Sequence, residues 1–538
     1  MNGHFVDAAT GRLHVHGEPY LIRGVELHNS TASSPDHLRQ LWPRLVEAKV
    51  NTVLLPVSWE VVEPSEAEFD FGPVDQVLAG ARRHGLKLVL LWFGSWKNGS
   101  SSYAPAWVKL DPERFPVQVD GSGSPLDNLS PFSDANRDAD ADAFAAFMGH
   151  LAGADGSEGT VIMVQLENEV GLLGPARSFG ADASAAWAAP VPPSLLEAVR
   201  DGAFPHVAVP DALPAAGSAP TWSDLLGDAD RTAELFMAWH YAAYVQHVAS
   251  AGLARHDLPL FVNAWLDSPV PDGTSSTGAA ADGAQVPGTF PSGGPLPHVS
   301  AAWKLAAPSI AFLAPDVYFG DFETPFKAYR DTNAAFFVPE IRADGDGLSH
   351  AFLAIGAYGA IGVSPFGFDS LPENDVLDLC RDYTQLAALE AEILDSQTRG
   401  RVRGFRVEGG EEQGFTLGRY GFLIRSHRAR SDGRAVGYGL LLQRDEQTYV
   451  AAGRNFIVDF TPLEGGPVAV LRADELVVGK GRLTPHRRLN GDETFAGTRI
   501  LIADNPTLLH GSMVMTGAHS GIVRFSLYSL GRAGKGSG

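Results

Sequence analysis

The chain has 538 residues, 45% of them hydrophobic and 19% charged, which indicates a globular protein of two or three domains. Its 41 basic and 63 acidic residues give a formal net charge of -22, which argues against nucleic acid and anionic membranes as partners. The single cysteine, Cys380, excludes a disulfide framework or a thiolate metal site within one chain.

The first two thirds of the chain alternate between short apolar runs and amphipathic segments. The apolar runs predict eight strands at residues 20–26, 51–57, 88–92, from 161 onward, 258–264, 310–315, 335–339 and 361–364. The amphipathic segments predict helices at about 35–48, 72–84, 139–151, 194–200, 232–251, 298–306 and 348–358. This alternation predicts an α/β protein whose residues 1–371 form a closed (β/α)8 barrel.

Long insertions follow the third, fourth and fifth predicted strands, and the last of them is the Gly/Pro/Ser/Thr-rich stretch 268–297. All of these insertions are loops that follow a strand and precede a helix. They therefore lie on the face of the barrel where such folds keep their active sites.

The pattern changes after the barrel. A helical segment within residues 372–400 leads away from it, and from residue 401 onward short strand-like runs follow one another with turns between them and no helical pattern. Residues 401–538 are therefore predicted to form an antiparallel β-sandwich.

The fourth predicted strand ends in the string Val-Gln-Leu-Glu-Asn-Glu-Val-Gly, residues 164–171. An Asn directly before a Glu at such a strand end resembles the acid/base signature of the superfamily of retaining glycoside hydrolases, and the longer string resembles the VQxENExG of family 35 β-galactosidases. A segment with Trp59, Glu63-Pro64 and Phe69-Asp70-Phe71 resembles one found in families 35 and 42, with Ala67 in place of a glycine. The simpler alternative is a polar turn after a core strand.

A second carboxylate supports the catalytic interpretation. Glu169 follows the fourth predicted strand and Glu340 ends the seventh, and these strand ends face each other across the mouth of an eight-stranded barrel. The resemblance implies that Glu169 is the general acid/base and Glu340 the nucleophile. It also implies that Asn168 binds the sugar 2-hydroxyl and that Tyr318 holds the nucleophile.

Glu167 is a complication, because the two-residue period of a strand would place it on the same face as Glu169. The resemblance implies that it points away from the site.

Other side chains near the predicted strand ends are weaker candidates, since each could equally be a packed or solvated residue. Aromatic rings stack on the apolar faces of sugars while polar groups bind their hydroxyls. The stacking candidates are Trp96, Trp265 and Phe366. The candidates for binding hydroxyls are Glu60, Lys97, Asn98 and His240. No metal site or cofactor is predicted.

The resemblance stops at the third strand. Typical family 35 β-galactosidases carry a Cys-Ala-Glu triplet there that grips the galactose 4- and 6-hydroxyls, whereas this chain has Gly94-Ser95-Trp96-Lys97. The barrel is most similar to a branch of family 35 that carries an extra β-sandwich and includes enzymes acting on β-galactosyl groups and relatives that transfer β-glucosyl groups.

The sequence therefore predicts a retaining exo-β-glycosidase, most specifically a β-galactosidase that removes terminal β-D-galactosyl residues. A β-glucoside hydrolase or β-glucosyl transglycosylase stays open, as does a non-catalytic carbohydrate-binding protein. The expected partner is a carbohydrate, with no nucleic acid and no membrane, and the oligomeric state is left open. The start of the chain has no signal-peptide pattern, so a cytoplasmic protein is expected, with secretion of a longer precursor as the alternative.

Overall fold

The computed structural model describes residues 3–211, 219–268, 286–427, 436–463, 466–479, 482–489, 491–503, 507–509, 513–515 and 520–530. Most of the long loop predicted over 268–297 lies outside these residues. Within them, no helix is both long and apolar enough to cross a membrane.

Eight parallel strands close into a barrel, as the sequence predicts. In chain order, and numbered one to eight below, they are Ile22–Glu26, Thr52–Ser58, Lys87–Lys97, Val161–Asn168, Leu260–Trp265, Phe312–Val317, Val338–Ile341 and Gly362–Pro365. Each strand pairs with the next, and the eighth pairs with the first. The strands are buried almost throughout, which explains their continuous apolar runs.

Helices cover the outside of the barrel, and most of them lie in the connections between its strands. They are Pro35–Glu47, Trp59–Val62, Gly72–His84, Ala106–Lys109, Asp134–Ala154, Ala181–Trp187, Pro193–Arg200, Ala229–Leu253, Ser300–Ala306, Glu323–Thr332, Gly345–Ala357 and Glu373–Thr398. The first helix shows why its position could be predicted from the sequence. Ser34 caps it by accepting a hydrogen bond from the His37 N–H, Pro35 begins it, and its apolar face is buried.

Three elements differ from the prediction. Strand three continues five residues beyond the expected end at Trp92 and includes Trp96 and Lys97. The helix Asp134–Ala154 begins before residue 139 because Ser133 caps it through the Asn136 N–H. The helix Glu323–Thr332, between strands six and seven, was not predicted, since its ten residues are mostly polar and bury only a narrow face.

Antiparallel sheets follow the barrel, which confirms the predicted all-β region. One sheet contains, in spatial order, Val402–Glu408, Val436–Gln443, Thr448–Arg454, Ile522–Ser529, Val468–Gly479 and Arg482–Arg488. A second contains Glu412–Leu417, Tyr420–Ser426, Phe456–Pro462 and Arg499–Ile502. Thr507–Leu509 pairs with Met513–Met515. Side chains from the two larger sheets share an apolar core of their own.

The sandwich packs directly on the barrel helix Gly345–Ala357, which follows strand seven. Gly356 of this helix and Gly404 of the sandwich meet backbone to backbone, because a Cβ on either glycine would lie within 3.0 Å of the other's backbone. Arg406 of the sandwich donates hydrogen bonds to Ser349 and Asp346 in the first turn of the same helix. The sandwich therefore contacts the element that follows the strand bearing Glu340.

Candidate active site

Glu169 and Glu340 meet at the carboxyl end of the barrel. Glu340 lies in strand seven, and Glu169 comes directly after strand four. One carboxylate oxygen of each, together with one of Asp316 in strand six, lie within 4.8 Å of one another. Glu169 is 6% exposed and Glu340 is 4% exposed, so both carboxyls are almost completely buried at this end of the barrel.

The backbone at the end of strand four explains how Glu169 reaches this position. Glu167 has φ +62° and Glu169 has φ +48°, both in the left-handed region that side chains other than glycine rarely adopt. These two residues break the strand alternation, so Glu167 and Glu169 do not share a face. Backbone strain of this kind persists only where surrounding contacts impose it, and it is common at active sites.

Glu167 points away from Glu169 and Glu340, as the resemblance implied. Its carboxylate accepts hydrogen bonds from the backbone N–H groups of Ser95 at 3.2 Å and Trp96 at 2.7 Å. Burial first, and then the neighbouring Asp140, raise the pKa of Glu167 well above its ordinary value. Its role is to tie the end of strand three to the end of strand four.

Glu340 receives hydrogen bonds from three donors. The Tyr318 hydroxyl donates to its Oε2 at 2.6 Å, and the side-chain amides of Asn168 and Asn263 approach its Oε1 at 3.4 Å each. Burial and the charge of Glu340 raise the pKa of Tyr318 well above its usual range, so its hydroxyl keeps its proton and donates it. These contacts suit a carboxylate that acts as an acceptor on all sides.

Glu169 has the opposite surroundings. Burial, and secondly the nearby charge of Glu340, raise its pKa to about 7. Its backbone N–H donates to Asn263 Oδ1 at 2.9 Å, which fixes the left-handed turn. At neutral pH a substantial fraction of this carboxyl is therefore protonated and able to act as an acid.

Asn263 in strand five and Asp316 in strand six complete the group, and neither was predicted. Asn263 Nδ2 donates to Asp316 Oδ2 at 2.7 Å. Burial, followed by the charges of Glu340 and Glu169, raises the pKa of Asp316 well above its ordinary value. The signal in the sequence was a polar residue close to the end of an otherwise apolar strand.

The three carboxylates are also close enough to ligate a divalent cation. Tyr318 and Asn263 donate hydrogen bonds to oxygens of Glu340 and Asp316 in this group.

Glu26 is a second acidic residue that the prediction missed. It is the last residue of strand one and is completely buried. Burial, and then the charge of Glu340, raise its pKa well above the ordinary value. The sequence shows the same signal as for Asp316, a charged residue ending an apolar strand.

Several of the predicted substrate-binding residues lie close to this group. Lys97 Nζ donates to Asn168 Oδ1 at 2.8 Å, and the Asn98 backbone N–H donates to the Asn168 carbonyl at 3.2 Å. Trp265 is the partly exposed last residue of strand five and pairs with Asp316. Phe366 follows strand eight, and its ring lies 6.4 Å from that of Tyr318 in an edge-on arrangement.

Other predicted residues lie elsewhere. Trp96 is 1% exposed, and its indole N–H is directed at Asn128 Oδ1 and the Leu129 carbonyl, both at 3.1 Å. Its ring packs against Tyr241 and Tyr244, so the prediction that Trp96 stacks on a sugar is wrong. The extended strand three carries its side chain into the layer between barrel and helices.

Glu60 and His240 have no described contact with the carboxylate group. Glu60 is exposed on the short helix Trp59–Val62, and only its backbone N–H forms a described hydrogen bond, to the Tyr103 carbonyl. His240 packs among the rings of Phe132, Phe236 and Trp222, and burial lowers its pKa to about 4. Its surroundings are those of a neutral packed ring rather than a hydroxyl ligand.

Comparisons with known proteins bear on two parts of the chain. Residues 32–191, which include Asn168 and Glu169, match the model of glycoside hydrolase family 42, described as beta-galactosidase. Residues 379–501 match a domain of unknown function, DUF5597. Each match covers less than half of the chain. The part of the barrel that was matched is thus similar to β-galactosidases of the (β/α)8 glycosidase type, without pointing specifically to family 35.

Solved structures give similarities at low identity. The beta-galactosidase of the psychrophilic Marinomonas ef1 is 12% identical, with a TM-score of 0.47 over 70% of this chain and 61% of that one. That of Bacillus circulans sp. alkalophilus is 14% identical, with a TM-score of 0.47 over 70% of this chain and 57% of that one. The catalytic domain of a beta-amylase from Paenibacillus polymyxa is 14% identical, with a TM-score of 0.45 over 66% and 94%. No curated protein matches the chain.

Proposed function

We propose that the protein is a retaining exo-β-glycosidase, most specifically a β-galactosidase. The observation that carries the proposal is the approach of Glu169 and Glu340 oxygens to within 4.8 Å. Retaining enzymes hold their two carboxyls about 5–5.5 Å apart, whereas inverting enzymes separate them by about 6.5–9.5 Å to admit a water molecule.

The surroundings of the two carboxyls support different roles in a double displacement. In the first step Glu340 attacks the anomeric carbon while Glu169 gives its proton to the departing glycosidic oxygen, leaving a covalent glycosyl-enzyme. In the second step Glu169, now ionised, takes a proton from water. The resulting hydroxide attacks the anomeric carbon, and the Glu340 bond breaks with overall retention of configuration.

The sugar is assigned on different grounds. The family 42 match over residues 32–191 and the resemblance of the strand-four motif support a β-galactosyl group. The absence of a Cys-Ala-Glu triplet at residues 94–97 is the feature that favours the second candidate, a β-glucoside hydrolase or transglycosylase. Both candidates use the same pair of carboxyls.

A panel of nitrophenyl β-glycosides tests the proposal. We expect release of nitrophenol from the β-galactoside above all others, and a fall in kcat of roughly 10⁴-fold or more in Glu340→Ala, because the attacking group is gone. Azide should rescue Glu340→Ala and give the α-glycosyl azide, whereas it should rescue Glu169→Ala and give the β-glycosyl azide.

The matched control is Glu68→Gln, which changes an exposed acid on the outer surface and should retain full activity. Preference for the β-glucoside would establish the second candidate. Nitrophenol release from no glycoside would contradict the enzymatic proposal, and normal rates in both carboxyl variants would show that the roles are wrong.

A further inference from the structure

The carboxylate of Glu26 is completely buried, at 0% exposure, and neither Oε1 nor Oε2 has a hydrogen-bond partner among the described residues. A buried carboxyl in this state is strongly unfavourable in typical proteins, and folded chains almost always pair such groups. The two free oxygens therefore call for a ligand that brings its own donors.

The position of Glu26 directs these oxygens toward the proposed active site. Its backbone carbonyl accepts the Gly367 N–H at 2.8 Å, which anchors the end of strand one to the segment after strand eight. Val25 and Leu27, on either side of Glu26, pack in the core that the strands share with the helices, whereas Ile22 packs in a separate cluster of strand residues. The two-residue period of strand one therefore directs the Glu26 side chain, like that of Ile22, to the inside of the barrel. There the charges of Glu340 and Glu169 disfavour its ionisation, and Lys97 acts in the opposite direction.

Glu167 provides the contrast. It is equally buried, but the fold supplies it with two donors, the backbone N–H groups of Ser95 and Trp96. A buried acid with a structural role has hydrogen-bond donors within the fold. Glu26 is given none, which is the pattern of a group kept ready for a bound molecule.

We propose that Glu26 determines specificity by accepting hydrogen bonds from two neighbouring hydroxyls of the sugar, those on C3 and C4. This inference rests on the proposed function. Around the barrel, strands four, three, two and one follow in that order. Asn168 on strand four is expected at the 2-hydroxyl and Lys97 lies on strand three, so the ring carbons beyond C2 extend toward Glu26 on strand one.

This arrangement gives a strong dependence on the two hydroxyls. A site that holds a buried carboxyl for a hydroxyl rejects the analogue that lacks the hydroxyl, because the carboxyl is then left unpaired. A ligand without a 3- or 4-hydroxyl should therefore bind much more weakly, while changes at other carbons should matter less to Glu26.

The test is calorimetric binding of galactose and glucose and of their 3-deoxy and 4-deoxy forms to wild type, Glu26→Gln and Glu26→Ala. In wild type, each deoxy sugar should bind at least about 10-fold more weakly than its parent. Glu26→Ala should weaken the parent sugar at least about 10-fold and each deoxy form, which keeps only one of the two hydroxyls, by a smaller factor. Equal losses for every sugar, unchanged binding of all, or no binding by wild type would each overturn the proposal.

Thermal unfolding separates a binding role from a structural one. Removing an unpartnered buried carboxyl should leave the Tm of Glu26→Gln equal to or above that of wild type, whereas Glu167→Gln, the matched control, should lower it. A fall in Tm for Glu26→Gln as large as that for Glu167→Gln would overturn the assignment. Because binding needs no turnover, sugar binding through Glu26 without hydrolysis of any glycoside would contradict only the proposed function.

Discussion

Glu169 and Glu340 are chemically identical side chains that their neighbours make different. Glu340 accepts hydrogen bonds from Tyr318, Asn168 and Asn263. Glu169 is buried against acidic neighbours, and its pKa is raised to about 7. Pairs of carboxyls whose environments separate their protonation states are how glycosidases assign the acid and the nucleophile. The assignment proposed here follows from these contacts.

The raised pKa of Glu169 predicts the pH dependence of turnover. Because the acid must carry a proton, kcat/KM for glycosides with poor leaving groups should fall as the pH rises through about 7. Glu169→Gln should lose this basic limb when it is assayed with a nitrophenyl leaving group that needs no protonation. A limb near pH 7 that persists in Glu169→Gln would assign it to another group.

The raised pKa of Glu169 also makes the stability of the folded protein depend on pH. The folded-state pKa of Glu169 lies above its ordinary value of 4.5, so the folded protein binds the proton more tightly than the unfolded chain does. This group therefore disfavours the folded state increasingly as the pH rises from about 4.5 to about 7. Glu169→Gln should weaken the pH dependence of the Tm in this window.

At the scale of single residues, the sequence identified the residues that belong to a motif or stand at the end of an apolar run. Glu169 and Glu340 were found because each ends a recognisable apolar run. Asn263 was missed because a polar residue within a strand has no sequence pattern of its own. Glu26 was missed although it ends an apolar strand, because no motif accompanies it. Trp96 was misplaced because its orientation depends on a strand that continues past the apparent end of the apolar run.

At the scale of elements, the hydrophobic pattern predicted the barrel strands but not the backbone conformation at their ends. All eight strands were predicted in their correct order. The left-handed turn at Glu167 and Glu169 was not, because tertiary contacts impose it: Ser95 and Trp96 hold Glu167, and Asn263 holds the Glu169 backbone. The helix Glu323–Thr332 was not predicted because too few of its residues are apolar to give a helical hydrophobic pattern.

Asn263 is expected to be a positioning residue that acts through Glu169. In Asn263→Ala the Glu169 N–H loses its acceptor, so the acid should move from its place, and a displacement of about 1 Å costs roughly 10²-fold in rate. We expect kcat to fall for glycosides with poor leaving groups and to fall much less for good ones, with KM nearly unchanged. The measurement is the dependence of kcat on leaving-group pKa.

Asn333→Ala serves as the control for this experiment, since Asn333 is also a barrel asparagine but bonds Leu313 and Tyr329 at the start of strand six. Its loss should lower stability without changing the leaving-group dependence. An equal fall of kcat for all leaving groups in Asn263→Ala would assign its effect to the lost bonds with Glu340 and Asp316 rather than to a misplaced acid.

At the scale of the whole molecule, the sandwich is joined to the barrel through the helix that follows the proposed nucleophile strand. Phe352 of that helix packs against Tyr438 of the sandwich, with ring centroids 5.5 Å apart. Tyr438 also donates to Asp382 in the helix Glu373–Thr398, whose Tyr383 donates to the Gly24 carbonyl of strand one. Contacts therefore run from the sandwich to strands one and seven, and the two parts should unfold together.

Gly404 tests this coupling. A Cβ there would lie 2.5 Å from the Phe352 carbonyl oxygen and 2.9 Å from the Ala357 nitrogen, so Gly404→Ala must push the helix Gly345–Ala357 away from the sandwich. Overpacking of this kind destabilises by about 1–3 kcal/mol. Differential scanning calorimetry should show a lower Tm and still a single transition, with activity lost in the same temperature range. Gly410→Ala, at a glycine whose Cβ would meet open space, should leave the Tm unchanged. Equal Tm values for the two variants, or separate transitions for barrel and sandwich in the wild type, would contradict the coupling.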